Sequence, residues 1–143
     1  MTEAKLYGIV DTARDERLFP LVKLSPNFDC LFAGKIDPVL AAAAPYLVEL
    51  TDETPLKNIW RTEGWGKAWG ILVRSSLELK DLRRHLRKFL LVQLPDGDVV
   101  FFRYYDPRVW RTYWASCSAA EQNRWLSDVD EFTCEEHCSV HLR

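Results

Sequence analysis

The sequence has no surplus of positive charge and no long hydrophobic run. With 19 Lys and Arg against 21 Asp and Glu, its formal net charge is -2. General affinity for nucleic-acid phosphates requires a basic surplus, so this balance argues against such binding. No apolar run approaches the ~20 residues that a membrane-spanning helix needs. We therefore expect neither a nucleic acid nor a membrane as partner.

Residues that build catalytic sites are also scarce. There are three histidines: His85 in a basic segment, and His137 and His141 near the C-terminus. A Ser-His or Cys-His pair would depend on one of them, and no motif such as Gly-x-Ser-x-Gly supports it. Acidic residues are scattered, without an evident carboxylate pair for glycoside hydrolysis. The sequence predicts a protein that is not an enzyme and uses no cofactor.

The first five residues lack the basic and apolar regions of a signal peptide. We therefore expect a cytoplasmic protein whose four cysteines are reduced. Hydrophobic residues make up 48% of the chain and aromatic residues 13%, which excludes disorder and predicts one domain with a real core.

Apolar periodicity, prolines and caps predict strands alternating with helices. Strands are expected at 5–10, 30–33, 46–50, 68–73, 89–94, 99–104 and 129–133, and helices at 15–23, 38–44, 55–62, 78–89, 107–115 and 119–127. Alternation favours parallel strand pairs, while Pro95-Asp96-Gly97-Asp98 predicts an antiparallel hairpin. The fold class is α/β: a single domain with a mixed, mostly parallel β-sheet, one antiparallel hairpin and helices packed on it.

Residues 101–110 carry a sharp change from strand to helix. Asp106 is a good N-cap, and Pro107 suits the first helical position. Arg103, Tyr105 and Arg108 flank this corner. Charged groups on aromatic supports suit a surface that holds a partner, although a structural ion pair with Asp106 or Asp11 is an equal alternative for the arginines.

A glycine and tryptophan cluster occupies residues 64–70. Its spacing differs from the dinucleotide fingerprint, and it precedes a strand where that fingerprint follows one. Gly64, Gly66 and Gly70 either form a tight loop that folds Trp65 and Trp69 against the sheet, or support a rigid aromatic interface. Both descriptions hold if one indole is buried and the other exposed.

Two further features have a plain and a functional interpretation. Basic residues that include Arg83, Arg84 and Arg87 line the strongest helix as a solvated face or as a docking stripe for an acidic partner. Near the C-terminus, zinc-ligand residue types share one helical face at i, i+3, i+4 and i+7: Cys134, His137, Cys138 and His141. One helix seldom supplies four ligands to a tetrahedral ion, so we expect no metal there.

Several segments in order resemble one known family. They are 6–11, 30–32, 41–48, 64–71, 82–86 and 99–109, and they end in Phe101-Phe102-Arg103-Tyr104-Tyr105-Asp106-Pro107-Arg108-Val109. The family is that of type VI secretion effector adaptors, or chaperones, long catalogued only as a domain of unknown function. The resemblance covers residues 5–133 and leaves 134–143 as a short C-terminal tail.

The resemblance implies a non-enzymatic role in the bacterial cytoplasm. Such adaptors bind a secreted toxin effector and promote its loading onto the valine-glycine-repeat spike protein of the secretion machine. Residue by residue, the family signature falls on Gly64, Trp65, Gly66, Trp69, Gly70, Arg103, Tyr105, Asp106, Pro107 and Arg108. Many members carry a further C-terminal region. If that region supplies one of two binding surfaces, we expect this chain to hold only the effector or only the spike.

Two rival functions belong to other classes. A small enzyme would use Cys30, Cys117 or a tail cysteine as nucleophile, and a lowered thiol pKa would favour it. A single-strand nucleic-acid binder would use the aromatic residues from Phe101 to Tyr105 as stacking platforms.

Overall fold

The computed structural model describes residues 3–32 and 34–136. The seven strands in this part of the chain are β1 (Lys5–Asp11), β2 (Phe28–Cys30), β3 (Pro45–Glu49), β4 (Gly70–Ser75), β5 (Leu91–Gln93), β6 (Val99–Phe101) and β7 (Glu131–Thr133). The six α-helices are α1 (Leu18–Lys23), α2 (Pro38–Ala41), α3 (Pro55–Ile59), α4 (Leu79–Arg87), α5 (Pro107–Ser116) and α6 (Ala119–Trp125). A π-helical turn (Trp60–Gly64) continues α3.

The main sheet contains five strands in the order β2-β3-β1-β4-β7, and every neighbouring pair is antiparallel. The α/β class is confirmed, but the prediction of a mostly parallel sheet is wrong. The separate β5–β6 hairpin is antiparallel as predicted.

The error has a topological cause. The helical connections from β1 to β2 and from β3 to β4 do return the chain in its original direction, so that the strands of each pair run parallel. However, β3 lies between β1 and β2, and β1 lies between β3 and β4. Strand alternation predicts the direction of these two connections correctly, but it does not show which strand is inserted between the two that each one joins. It fails for the connection through α2, because β2 and β3 are antiparallel neighbours.

Both faces of the main sheet are covered by apolar residues, which form two core clusters. Alternate residues of β1 point to opposite faces, so that Tyr7 and Ile9 belong to one cluster and Val10 to the other. The first cluster includes side chains of α4, α5 and α6, with Trp125 stacked on Phe89. The second includes side chains of α1 and α3, with Trp60 and Trp69.

Local signals in the sequence predicted most element ends well. The Asp106 side chain accepts from the Arg108 N–H at the start of α5, and Pro107 occupies the first turn. Ser118 and Glu121 form the capping box of α6. The second strand is displaced from its predicted position: β2 ends at Cys30, and its residues are half-buried or exposed rather than buried.

Candidate functional site

A groove of about 600 Å³ lies where the β5–β6 hairpin faces α2. Leu91 and Phe101, directly opposite each other in the hairpin, line one side. Phe32 and Leu40 line the other side, and the Phe32 ring lies 5.4 Å from that of Phe101. We call this recess the hairpin groove.

The hairpin itself is unusually apolar for an exposed element. All its large aliphatic and aromatic side chains are exposed, Phe101 to 62%: Leu91, Val92, Leu94, Val99, Val100 and Phe101. Since successive strand residues point to opposite faces, both faces of the ribbon present apolar groups. Contiguous exposed apolar surface of this kind marks interaction sites in soluble proteins.

An ion pair lies at the floor of the groove. The Arg103 Nη2 donates to Asp11 Oδ2 at 2.8 Å, and the Arg103 guanidinium lies 5.9 Å from the centre of the Tyr105 ring. Asp11 is buried, whereas 56% of the Arg103 side chain is exposed. The structure therefore contains the predicted ion pair of Arg103 with Asp11, and it leaves part of the Arg103 side chain facing solvent.

A second arginine lines the groove without a partner. Arg87, at the end of α4, forms neither a hydrogen bond nor an ion pair with any residue in the described ranges, and its Nε is buried. The charged groups lining the groove are thus two arginines and one aspartate. This excess of positive charge suits a partner that brings a carboxylate together with apolar side chains.

Tyr105 lines the groove as a neutral phenol. Burial raises its pKa to about 12, against the opposing effect of the Arg103 charge. Tyr105 and Tyr104 are both buried. Of the aromatic residues 101–105, Phe101 is exposed but the two tyrosines cannot stack on a base, which weakens the nucleic-acid alternative.

The corner at Asp106 is held by an ion pair. Arg108 donates from Nη2 to Asp106 Oδ2 at 2.7 Å and from Nε to Oδ1 at 2.9 Å. Burial raises the Asp106 pKa, but the hydrogen bonds and charge of Arg108, with the charge of Arg14, lower it below its ordinary value. For Arg108 this geometry favours the structural alternative over partner contact.

The two indoles of the glycine and tryptophan cluster differ in burial, which is one of the arrangements that the sequence allowed. Trp69 is buried in the second core cluster, while Trp65 is 43% exposed on another recess. A Cβ on Gly64 would overlap the Trp69 ring, and one on Gly70 would overlap the Ile9 carbonyl oxygen. Gly66 has a positive φ of 91°. The glycines thus permit close packing and a tight turn.

The arginines of the predicted docking stripe on α4 make different contacts. The Arg83 Nε donates to the Cys30 carbonyl at 2.6 Å and Nη2 to the Phe32 carbonyl at 3.0 Å, which ties α4 to the segment after β2. Arg84 is exposed and pairs only with Asp81 one turn away, among the described residues. Arg83 therefore holds the backbone of the groove wall at Phe32, whereas Arg84 is solvated.

Cys30 and Cys134 do not resemble activated nucleophiles. Burial raises the pKa of the Cys30 thiol and of the Cys134 thiol. Within residues 3–32 and 34–136, no three or more His, Cys, Asp or Glu side chains are grouped to hold a metal. Of the four tail candidates, His137, Cys138 and His141 lie outside the described residues.

Sequence reasoning found Arg103 and Tyr105 but missed most of the groove. For the mainly apolar segments 91–94 and 99–101 the sequence predicts only strands, because an apolar run normally indicates burial. One signal was present in the sequence: both segments contain neighbouring apolar residues, such as Leu91-Val92 and 99–101, yet they join through a short hairpin turn. A hairpin alone cannot bury two faces.

Comparisons with known proteins place the chain in one family. The model of the Domain of unknown function (DUF4123) matches residues 6–124. Neither the curated proteins nor the solved structures gave a significant match. Among the described residues, no helix combines the length and the apolar character needed to cross a membrane.

Proposed function

The chain belongs to the DUF4123 family of domains of unknown function, and from this premise we propose that it is a type VI secretion effector adaptor. In this role it binds a toxin effector in the cytoplasm and promotes loading of that toxin onto the valine-glycine-repeat spike protein. It performs no chemistry of its own. Two lines of support exist: the resemblance of its motifs to the adaptor family, and the surface of the hairpin groove.

The observation that carries the proposal is the exposed apolar hairpin beside a groove with two arginines. Interface centres are typically apolar and aromatic, with arginine enriched. A toxin segment with apolar side chains and one carboxylate would cover Leu91 and Phe101 and meet the charge of Arg87. We therefore assign the toxin to the hairpin groove, which has about twice the volume of the recess beside Trp65.

Co-expression with the toxin encoded by a neighbouring gene tests the proposal. The wild-type protein should co-purify with that toxin as a discrete complex. Phe101→Asp should weaken binding at least tenfold, because a charge at the centre of an apolar interface loses its hydration. Leu24→Asp is the matched control, since Leu24 is equally exposed but lines neither recess.

Thermal unfolding of both variants must match the wild type, so that lost binding is not lost folding. In bacteria, deleting the gene should abolish delivery of that one toxin while the secretion machine continues to fire. Persistent delivery, or simultaneous failure of several unrelated toxins, would contradict a dedicated adaptor.

A further inference from the structure

The second face of the main sheet is incompletely covered. A recess of about 310 Å³ lies beside α3 and the π-helical turn that follows it. Its floor is formed by Leu6 of β1, Leu50 and Leu72 of β4, and its walls include Trp60 and Trp65. In the β1–β4 register, Gly8 lies opposite Leu72, so that Leu6, two residues away on β1, shares this face. Leu6 and Leu72 are only half-buried.

The rim of this recess is positively charged. Lys57 and Arg61 are the two charged residues that line it. Lys57 is paired with Asp52 at 3.0 Å. Arg61 donates to the neutral amide oxygen of Asn58 at 2.9 Å, and no carboxylate in the described ranges neutralises it. An occupant that carries a carboxylate would therefore find an unpaired guanidinium.

Trp60 forms part of the wall of the recess. Its six-membered ring is packed against the position of Gly8, and its indole Nε1 is buried with no acceptor among the described residues. A buried N–H without an acceptor is unfavourable. Because this N–H has almost no accessible surface, the wall presents the apolar part of the Trp60 indole to an occupant.

We propose that this recess binds one apolar side chain that a protein partner presents next to a carboxylate. Its volume is at the lower end of the ~300–1,000 Å³ typical of ligand pockets, which suits a single leucine- or phenylalanine-sized group. The exposed Trp65 and Arg61 are of the types that anchor protein interfaces. The recess shares no lining residue with the hairpin groove, and the proposal does not depend on the toxin.

The test is an NMR titration of the full chain with N-acetyl-L-phenylalanine and with its uncharged amide. Backbone signals of Leu6, Leu72 and residues 57–65 should shift, and the acid should bind about threefold more tightly than the amide, as expected for one exposed ion pair. Arg61→Gln should remove this difference. Arg84→Gln, which changes an equally exposed arginine on α4, should preserve it.

Four results would overturn the proposal. The first is an absence of shifts at these residues, and the second is equal binding of acid and amide to the wild type. The third is a shift of the same signals on raising the protein concentration alone, which would assign the recess to a second copy of the chain. Decanoate binding far more tightly than the acetylated amino acid would likewise assign it to a lipid.

Discussion

Asp106 has two roles at the start of α5, and each can be removed separately. Its carboxylate accepts from the Arg108 N–H as a helix cap, and it also pairs with the Arg108 guanidinium. Asparagine is as good an N-cap as aspartate but carries no charge. Asp106→Asn therefore removes the ion pair and keeps the cap, while Asp106→Ala removes both.

We expect Asp106→Asn to lower the free energy of unfolding at neutral pH by about 1 kcal/mol, and Asp106→Ala by about 1 kcal/mol more. The Asp106 pKa is lowered in the folded state, so the stability from its ionised form is complete above the unfolded pKa of about 4. That stability is lost as the pH falls through the folded pKa.

Urea unfolding of both variants at neutral pH and at about pH 3 measures this effect. The difference between wild type and Asp106→Asn should shrink at the lower pH, while the difference between Asp106→Asn and Asp106→Ala should remain. A wild-type advantage over Asp106→Asn that does not change with pH would mean that the substitution alters packing rather than charge.

At the scale of elements, α4 illustrates how neighbouring residues of one type differ in role. Arg83 donates to two backbone carbonyls, one at the end of β2 and one just after it, whereas Arg84 reaches only Asp81 among the described residues. Arg83→Ala should lower the free energy of unfolding by about 1.5 kcal/mol, because two carbonyls lose a charged donor. Arg84→Ala should change it by less than about 0.5 kcal/mol.

Hydrogen exchange adds a local measurement to this comparison. Arg83→Ala should increase exchange at Leu31 and Phe32, which form part of the groove wall, while Arg84→Ala should not. Equal stability losses from the two substitutions would show that α4 depends on its net charge rather than on the Arg83 contacts.

The sequence predicted individual elements better than their arrangement. The cap at Asp106, the capping box at Ser118 and the turn at Gly97 depend on residues close together in the chain, so local rules found them. The position of β1 between β3 and β4 depends on pairing between distant residues, which no local pattern encodes. The exposure of Leu91 and Phe101 likewise depends on which distant segments pack against them, and a local pattern does not encode this.

At the scale of the whole molecule, the two recesses are lined largely by different parts of the core. The hairpin groove contains Leu31, Leu90 and Tyr105, which belong to the core cluster of α4, α5 and α6. The recess beside α3 contains Leu50 and Trp60, which belong to the other cluster. Two partners could therefore occupy the protein together without competing for the same residues.

This separation predicts that the two surfaces act independently. Substitutions at distant sites without shared partners usually have additive effects. Phe101→Asp should therefore leave the affinity of N-acetyl-L-phenylalanine for the recess unchanged, and Arg61→Gln should leave co-purification of the toxin unchanged. NMR titration measures the first effect and quantitative pull-down the second. If Arg61→Gln instead weakened toxin binding as strongly as Phe101→Asp, the toxin would contact both recesses. Assignment of the toxin to the hairpin groove alone would then be wrong.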